Sequence, residues 1–273
     1  MKKIFVLFLL IAGYATMLAC KCSGLGMVGI NFQKSDFVGE IEILKIRNSS
    51  SKSRTYLADV KVLKLYKGKE INTLEVHGLI GDIQSAACEV QIKQGQKFLM
   101  YLSGNDGDTI MSMTTSGNNA TTGKYFTVSA CTPKSEIKEN SRTLALERAA
   151  LEFLASNPSD LAQAFYLDNS VTANSDGDFK SYIITEPARS FAVYKLKVNG
   201  KSEVEEIEAL QNFGSSQDGE IMRLIKKNFV IGKDFFSEVR NEEVLLTLFY
   251  NPDKNASTWG DTLTQSLVEP IFD

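Results

Sequence analysis

The sequence predicts a mainly β protein with some helix: a small closed or half-closed barrel, a helix after it, and then a small α+β unit. Three observations carry this prediction. Apolar and polar residues alternate with period two in about six short segments between Asp36 and Cys131, with no helix between most of them. Over Ser141–Ala155 the period changes to that of a helix. Farther on, a second alternating pair turns at Asn199-Gly200 and is followed by a helical spacing and one more strand.

The chain opens on Lys2 and Lys3, and Ile4 to Ile11 form an unbroken apolar run. Small and apolar residues continue to Ala19, directly before Cys20. A positive start, a short apolar stretch and a small residue at the cut are the parts of an export signal. Residues 1–19 are therefore expected to be removed, the mature chain to begin at Cys20, and the protein to be secreted, periplasmic or held at the cell surface. No later stretch approaches the ~20 apolar residues of a spanning helix, so no transmembrane segment is expected in the mature chain. Two processing routes lead to different chemistry. A general signal peptidase leaves a free α-amino group on Cys20. A lipoprotein peptidase leaves a lipid anchor on its sulfur, and a lipidated sulfur cannot join a disulfide. Met17-Leu18-Ala19-Cys20 is an imperfect lipobox, its Leu one place nearer the cysteine than usual.

The composition, 43% hydrophobic and 23% charged over 273 residues, is that of a globular protein long enough for two modest domains. The formal charge is −3, and loss of Lys2 and Lys3 with the leader takes it to −5. Nothing basic invites nucleic acid or an anionic membrane surface. All four cysteines, Cys20, Cys22, Cys88 and Cys131, lie beyond the expected cut. An even count in an exported chain favours disulfides. A Cys20–Cys22 bridge would close a tight, strained ring. The other two ways of forming two bridges both staple the N-terminus to the body near Cys88 and Cys131. Cys-x-Cys with two distant single cysteines is not a zinc-ribbon spacing. The one histidine, His77, lies in a strand-like run and is expected to be structural.

In chain order, strands are expected at Phe37–Ile46, Tyr56–Tyr66 (stopping at Lys67-Gly68), Thr73–His77, Lys97–Leu102 after the turn at Gly95, Thr109–Met113 and Tyr125–Val128. The helix over Ser141–Ala155 presents Leu144, Leu146, Ala149, Ala150, Leu151, Phe153 and Leu154 on one broad face. Ser141 caps its start and Asn157-Pro158 stops it. Ser159 or Asp160 opens a second short helix through Phe165, and Leu167–Lys180, rich in Asn, Ser, Thr and Asp, reads as loop. The second unit has strands at Phe191–Val198, Val204–Leu210 and Glu242–Tyr250, with a helix over Asp218–Phe229 carrying Ile221, Leu224, Ile225 and Phe229. The tail from Asp253 has no firm assignment. The expected organisation is signal 1–19, barrel unit 20–166, linker 167–190 and α+β unit 191–273.

With these strands in place, the first unit resembles the netrin-like family, which includes the tissue inhibitors of metalloproteinases (TIMPs). The resemblance rests on Cys20-Lys21-Cys22, the strands Phe37–Ile46 and Val60–Tyr66, Lys67-Gly68, Cys88, Gly95–Leu102 and Cys131, and it covers roughly Cys20–Leu154. It implies an OB-type barrel with disulfides Cys20–Cys88 and Cys22–Cys131. It also implies a protein partner, in its sharpest form a zinc metalloprotease. The free α-amino group and carbonyl of Cys20 would chelate the catalytic zinc at its open position. The disulfides would hold that terminus rigid and so reduce the entropy lost on binding. Lys21 would enter the specificity pocket, where the animal inhibitors carry a small or uncharged residue. Burying an unpaired ammonium in an apolar pocket is costly. Many members of the family bind proteins without inhibiting any protease. The second unit resembles the C-terminal domain of TonB-type energy transducers over Ala192–Val198, Asn199-Gly200-Lys201, Val204–Ile207, Ile221–Ile225 and Val244–Phe249. This implies a protein-docking fold.

Other chemistry is not expected. Asn105–Asp108 and Asn174–Asp178 lack the alternating acids and the later bidentate Glu of a calcium loop and read as turns. Phosphate-loop, nucleophile-elbow and His-Glu-x-x-His motifs are missing, and one histidine argues against Ser-His or Cys-His catalysis. Glu203, Glu205, Glu206 and Glu208 read as a solvated strand face. The chain is expected to be a binding protein rather than an enzyme, without a cofactor or bound metal of its own. If Cys20 is lipidated, it is expected to be an anchored lipoprotein with a structural or docking role.

Overall fold

The computed structural model describes residues 28–47, 55–78, 90–104, 125–158, 167–173, 184, 187–199, 201, 203–233, 242–251 and 262–264. The protein is mainly β with a few helices, and its first sheet curls into a half-barrel. Six strands build that sheet: β1 (Phe37–Arg47), β2 (Thr55–Lys67), β3 (Thr73–His77), β4 (Lys97–Leu102), β5 (Phe126–Val128) and β6 (Lys134–Glu136). Their spatial order is β5-β3-β2-β1-β4-β6, and only the β3–β5 pair is parallel. The bend has a local cause. The long β1–β2 pair shifts register between Val38 and Gly39, between Glu40 and Ile41, and between Ile43 and Lys45. Such irregularities increase twist and let a long pair curl.

The alternation in β1 divides its side chains between two cores. Phe37, Ile41 and Ile43 face the inside of the half-barrel, with Tyr56, Val60, Leu74 and Met100. Val38 faces the other way, joining Tyr66, Leu99 and Tyr101. That outer face is covered by helix α1 (Val28–Lys34) and helix α2 (Arg142–Ser156). Ser141 caps α2 as expected, its hydroxyl accepting from the Leu144 N–H at 3.2 Å. Leu144, Ala150, Leu151 and Leu154 supply the buried stripe.

A second sheet continues the same core. It has the order β12-β11-β8-β9, from β8 (Phe191–Val198), β9 (Val204–Gln211), β11 (Glu242–Asn251) and β12 (Thr262–Thr264). Phe191 and Val193 of β8, with Leu245 and Phe249 of β11, pack into the core under α2. Ala192, Tyr194, Leu196, Val244, Leu246 and Leu248 face the opposite side, against Ile221, Leu224 and Ile225 of helix α3 (Asp218–Asn228). Asn199 organises the β8–β9 turn, its side-chain oxygen accepting from the Lys201 and Glu203 N–H groups at 2.8 and 3.1 Å.

Several expectations change. The loop expected from Leu167 begins instead with β7 (Leu167–Ala173), which pairs antiparallel with β10 (Phe229–Lys233). Polar residues can form a strand where a partner strand is present, and local composition does not report the partner. Phe229, expected as the last residue of a helix, opens β10 instead. Helix α1 and strands β6 and β12 carry no clear pattern in the sequence. The expected strand 109–113 and short helix 159–165 lie outside the described residues, as do both Asp-rich turns. No helix among the described residues is long and apolar enough to cross a membrane.

Because the core under α2 draws residues from both sheets, damage to it should be felt in both. Phe249→Ala, which removes a fully buried ring beside Phe191, should cost about 3–5 kcal/mol. Native-state hydrogen exchange should show that loss equally at core amides of β1 and of β11. A loss confined to β11 would contradict a shared core.

Candidate functional site

Of the site residues singled out by the sequence, the structure describes one, Cys131. Cys20, Lys21, Cys22 and Cys88 lie outside the described residues. Cys131 is disulfide-bonded, and since it is the only cysteine described, its partner lies among the other three.

The turn that presents Cys131 follows β5 directly and is closed on itself. The Ser129 N–H donates to the Thr132 hydroxyl at 2.8 Å, and the Cys131 N–H donates to the Ser129 hydroxyl at 3.2 Å. Lys134 reaches back under the turn and donates to the carbonyls of Ser129, Ala130 and Thr132 at 2.9, 3.1 and 3.2 Å. An ammonium has three donors, and these carbonyls match them one for one. Burial holds the Lys134 amine below its ordinary value. Pro133 ties the turn to the sheet, its carbonyl accepting from the Tyr101 N–H at 3.0 Å. The disulfide is thus anchored in a braced turn rather than a free loop.

Register places this turn at a definite end of the half-barrel. Val128 pairs with Val76 in the parallel β3–β5 ladder, so Ser129 follows where His77 ends β3. At the same end the chain returns at Val90, whose N–H donates to the His77 carbonyl at 3.1 Å. The approach there is very close: a Cβ on Gly78 would stand 2.0 Å from the Val90 carbonyl oxygen, so only glycine fits. The Ile92 N–H donates to the Tyr56 hydroxyl at 3.1 Å and holds the returning segment. Val90 is two residues from Cys88 in sequence. His77 is half-buried at this end, and no group of three or more His, Cys, Asp or Glu side chains among the described residues is placed to hold a metal.

A second chemically rich cluster was not anticipated from sequence. Two carboxylates lie beneath α2, each 6% exposed. Glu40 accepts a bidentate pair from Arg148 at 2.7 and 2.7 Å and a hydrogen bond from the Tyr66 hydroxyl at 2.8 Å. Burial drives its carboxyl upward, but Arg148 and Tyr66 more than offset this and hold it below the ordinary range. Glu147 accepts from the Tyr101 hydroxyl at 2.6 Å and the Ser135 hydroxyl at 3.2 Å. No cation among the described residues pairs with it, so burial prevails and its carboxyl is raised. Desolvation, reinforced by Glu147, raises Tyr101 well above its usual value. The cluster is closed over by α2 and fastens that helix to β1, β2, β4 and β6. One signal does exist in the sequence: Glu147 stands three residues after Leu144 and four before Leu151, on the buried stripe of the helix. Glu203, Glu205, Glu206 and Glu208 are exposed on the β9 side of the second sheet, with Glu206 paired to Lys197 at 2.9 Å.

No protein-family model matches the chain, and no curated protein matches its sequence.

The two buried carboxylates should answer pH in opposite senses. Glu147 has its folded-state value raised, so it favours folding at acid pH and loses that contribution as pH rises through the raised value. Glu147→Gln keeps an acceptor for Tyr101 and removes the buried charge. Its melting temperature should match wild type at about pH 4 and exceed it at about pH 8. A lower melting temperature than wild type at the higher pH would contradict this assignment.

Proposed function

We propose that the chain is an exported protein-binding module whose mature N-terminus, Cys20, is stapled by disulfides to one end of an OB-type barrel. Its sharpest form is a TIMP-like inhibitor, in which the Cys20 α-amino group and carbonyl close the open position of a zinc metalloprotease. The observation that carries this reading is the disulfide at Cys131, held in a Lys134-braced turn at the end of the half-barrel where Val90 also returns. A terminus fastened there meets its target with little freedom left to lose.

The strand order supports the OB-type reading. β1 pairs with both β2 and β4, β3 pairs in parallel with β5, and β4 and β5 come into contact at the seam. That order is the one expected of a partly open OB-type barrel, with β6 added at the edge of β4. The helix that follows it, α2, fits the same resemblance. In the second sheet, the β8–β9 hairpin, α3 and β11 fit a small α+β docking fold of the TonB C-terminal type. Lys21 narrows the target. Its ammonium needs a carboxylate or open water in the pocket it enters, because an apolar pocket would leave it unpaired.

A lipoprotein anchored at Cys20, with a structural or docking role, is the second reading, favoured by Met17-Leu18-Ala19-Cys20. Intact mass of the exported protein separates the two. The inhibitor reading expects a chain beginning at Cys20, with four hydrogens lost to two disulfides and no adduct. It should inhibit at least one member of a metalloprotease panel, and one Ala placed before Cys20 should abolish the effect. A diacylglycerol adduct on Cys20 decides for the lipoprotein. An unmodified native terminus that inhibits nothing removes the protease version and leaves the binding module.

A further inference from the structure

Helix α1 is the last described element before the proposed functional terminus, and two parts of the molecule grip it. On the barrel side, Lys67 donates to the carbonyls of Phe32 and Gln33 at 2.8 and 2.9 Å. Its ammonium also lies 5.3 Å from the centre of the Phe32 ring. A cation at the carbonyl end of a helix satisfies groups that have no partner within the helix. The Ser103 hydroxyl donates to the Lys34 carbonyl at 3.2 Å.

The other grip comes from the second sheet. β11 pairs with β8 from Glu242 to Phe249, but β12 covers its far edge only at Phe249, Tyr250 and Asn251. Along the rest of that edge lies α1. The Gln33 amide donates to the Glu243 carbonyl at 2.8 Å, and its oxygen accepts from the Leu245 N–H at 3.1 Å. A neighbouring strand would offer β11 the same pair of bonds. Gln33 is 4% exposed, so these bonds are not in competition with water. Gly29 permits the approach: a Cβ there would stand 2.6 Å from the Leu245 carbonyl oxygen and 2.7 Å from the Thr247 hydroxyl. The apolar residues of α1 straddle the edge, Ile30 joining the core on the α3 side and Val28 and Phe32 the core under α2.

We infer that the second sheet is a clamp for the N-terminal segment, and that Gln33, by standing in for a strand on the edge of β11, is a positioning residue for the terminus at Cys20. The inference rests on the reading of that terminus as the functional end. Its reach is set by covalent geometry. Five residues separate Cys22 from Val28. Six Cα steps span at most about 22 Å, so the placement of α1 bounds where Cys22 can stand. The C-terminal half would thereby act on the partner-binding end without touching the partner.

Hydrogen exchange on the full-length mature protein tests this through Gln33→Met, which keeps shape and removes both bonds. Exchange over residues 28–35 should quicken at least tenfold, while β8 and the rest of β11 beyond Leu245 keep their protection. Gln33→Glu supplies the control if the Met variant fails to fold. Protonated, toward acid pH, it can donate to Glu243 and should recover protection; once ionised, toward alkaline pH, it cannot donate and should lose it. Protection unchanged within twofold, or lost evenly across both sheets, would overturn the clamp. Where the wild type inhibits a metalloprotease, Gln33→Met should also weaken inhibition at least tenfold, and full inhibition despite faster exchange would overturn the positioning role. Where the wild type inhibits nothing, the protease reading fails by itself and the exchange result still decides the clamp.

Discussion

The rest of the structure depends on the seam where helices α1 and α2 lie between the two sheets. Val38, Leu99 and Tyr101 rise from the half-barrel, Phe191, Val193, Leu245 and Phe249 come from the second sheet, and Leu144, Leu151 and Leu154 of α2 fill the space between. A sheet of this size cannot leave an apolar outer face in water, and each sheet supplies part of the other's cover. α1 gives the seam its direction by binding the edge of β11 through Gln33 while Lys67 holds its carbonyl end. An edge covered in this way is closed to pairing with another chain.

Polar groups are placed inside that seam at some energetic cost. Glu40 with Arg148 and Tyr66, and Glu147 with Tyr101 and Ser135, fix α2 on the sheet with directional bonds that apolar packing alone does not provide. The ionic strain falls on Glu147, whose neighbours are hydroxyls, rather than on Glu40, which has a guanidinium. In the Cys131 turn the logic is repeated with carbonyls: among the described residues Lys134 pairs with no carboxylate and is held by three peptide oxygens.

Much of this was readable in the residues because period is a strong signal where one face is buried. β3 and β4 fall where alternation places them, and α2 starts at its Ser141 cap. Elements that owe their form to a distant partner were not readable. β7 is polar and exists by pairing with β10, some 60 residues on. α1 is seven residues long, too short to show a period or to persist without its seat on β11. The cysteine count pointed to disulfides, yet it does not choose a pairing. The clasp under α2 went unread because a Glu on a helix is ordinarily solvated. Only its place between Leu144 and Leu151 marks Glu147 as buried. Lys134 gave no signal at all, since its partners are backbone carbonyls within five residues, a pattern set by turn geometry rather than by side-chain chemistry.

A terminus that begins at a cysteine, held by bonds to one end of a half-barrel and steadied by α1, is the central claim. Peptide mapping of the non-reduced, exported protein by mass spectrometry tests it most directly. The account predicts two cross-linked peptides, one joining Cys20 to Cys88 and the other joining Cys22 to Cys131. A Cys88–Cys131 peptide, which would leave the N-terminus unattached to the body, would contradict it.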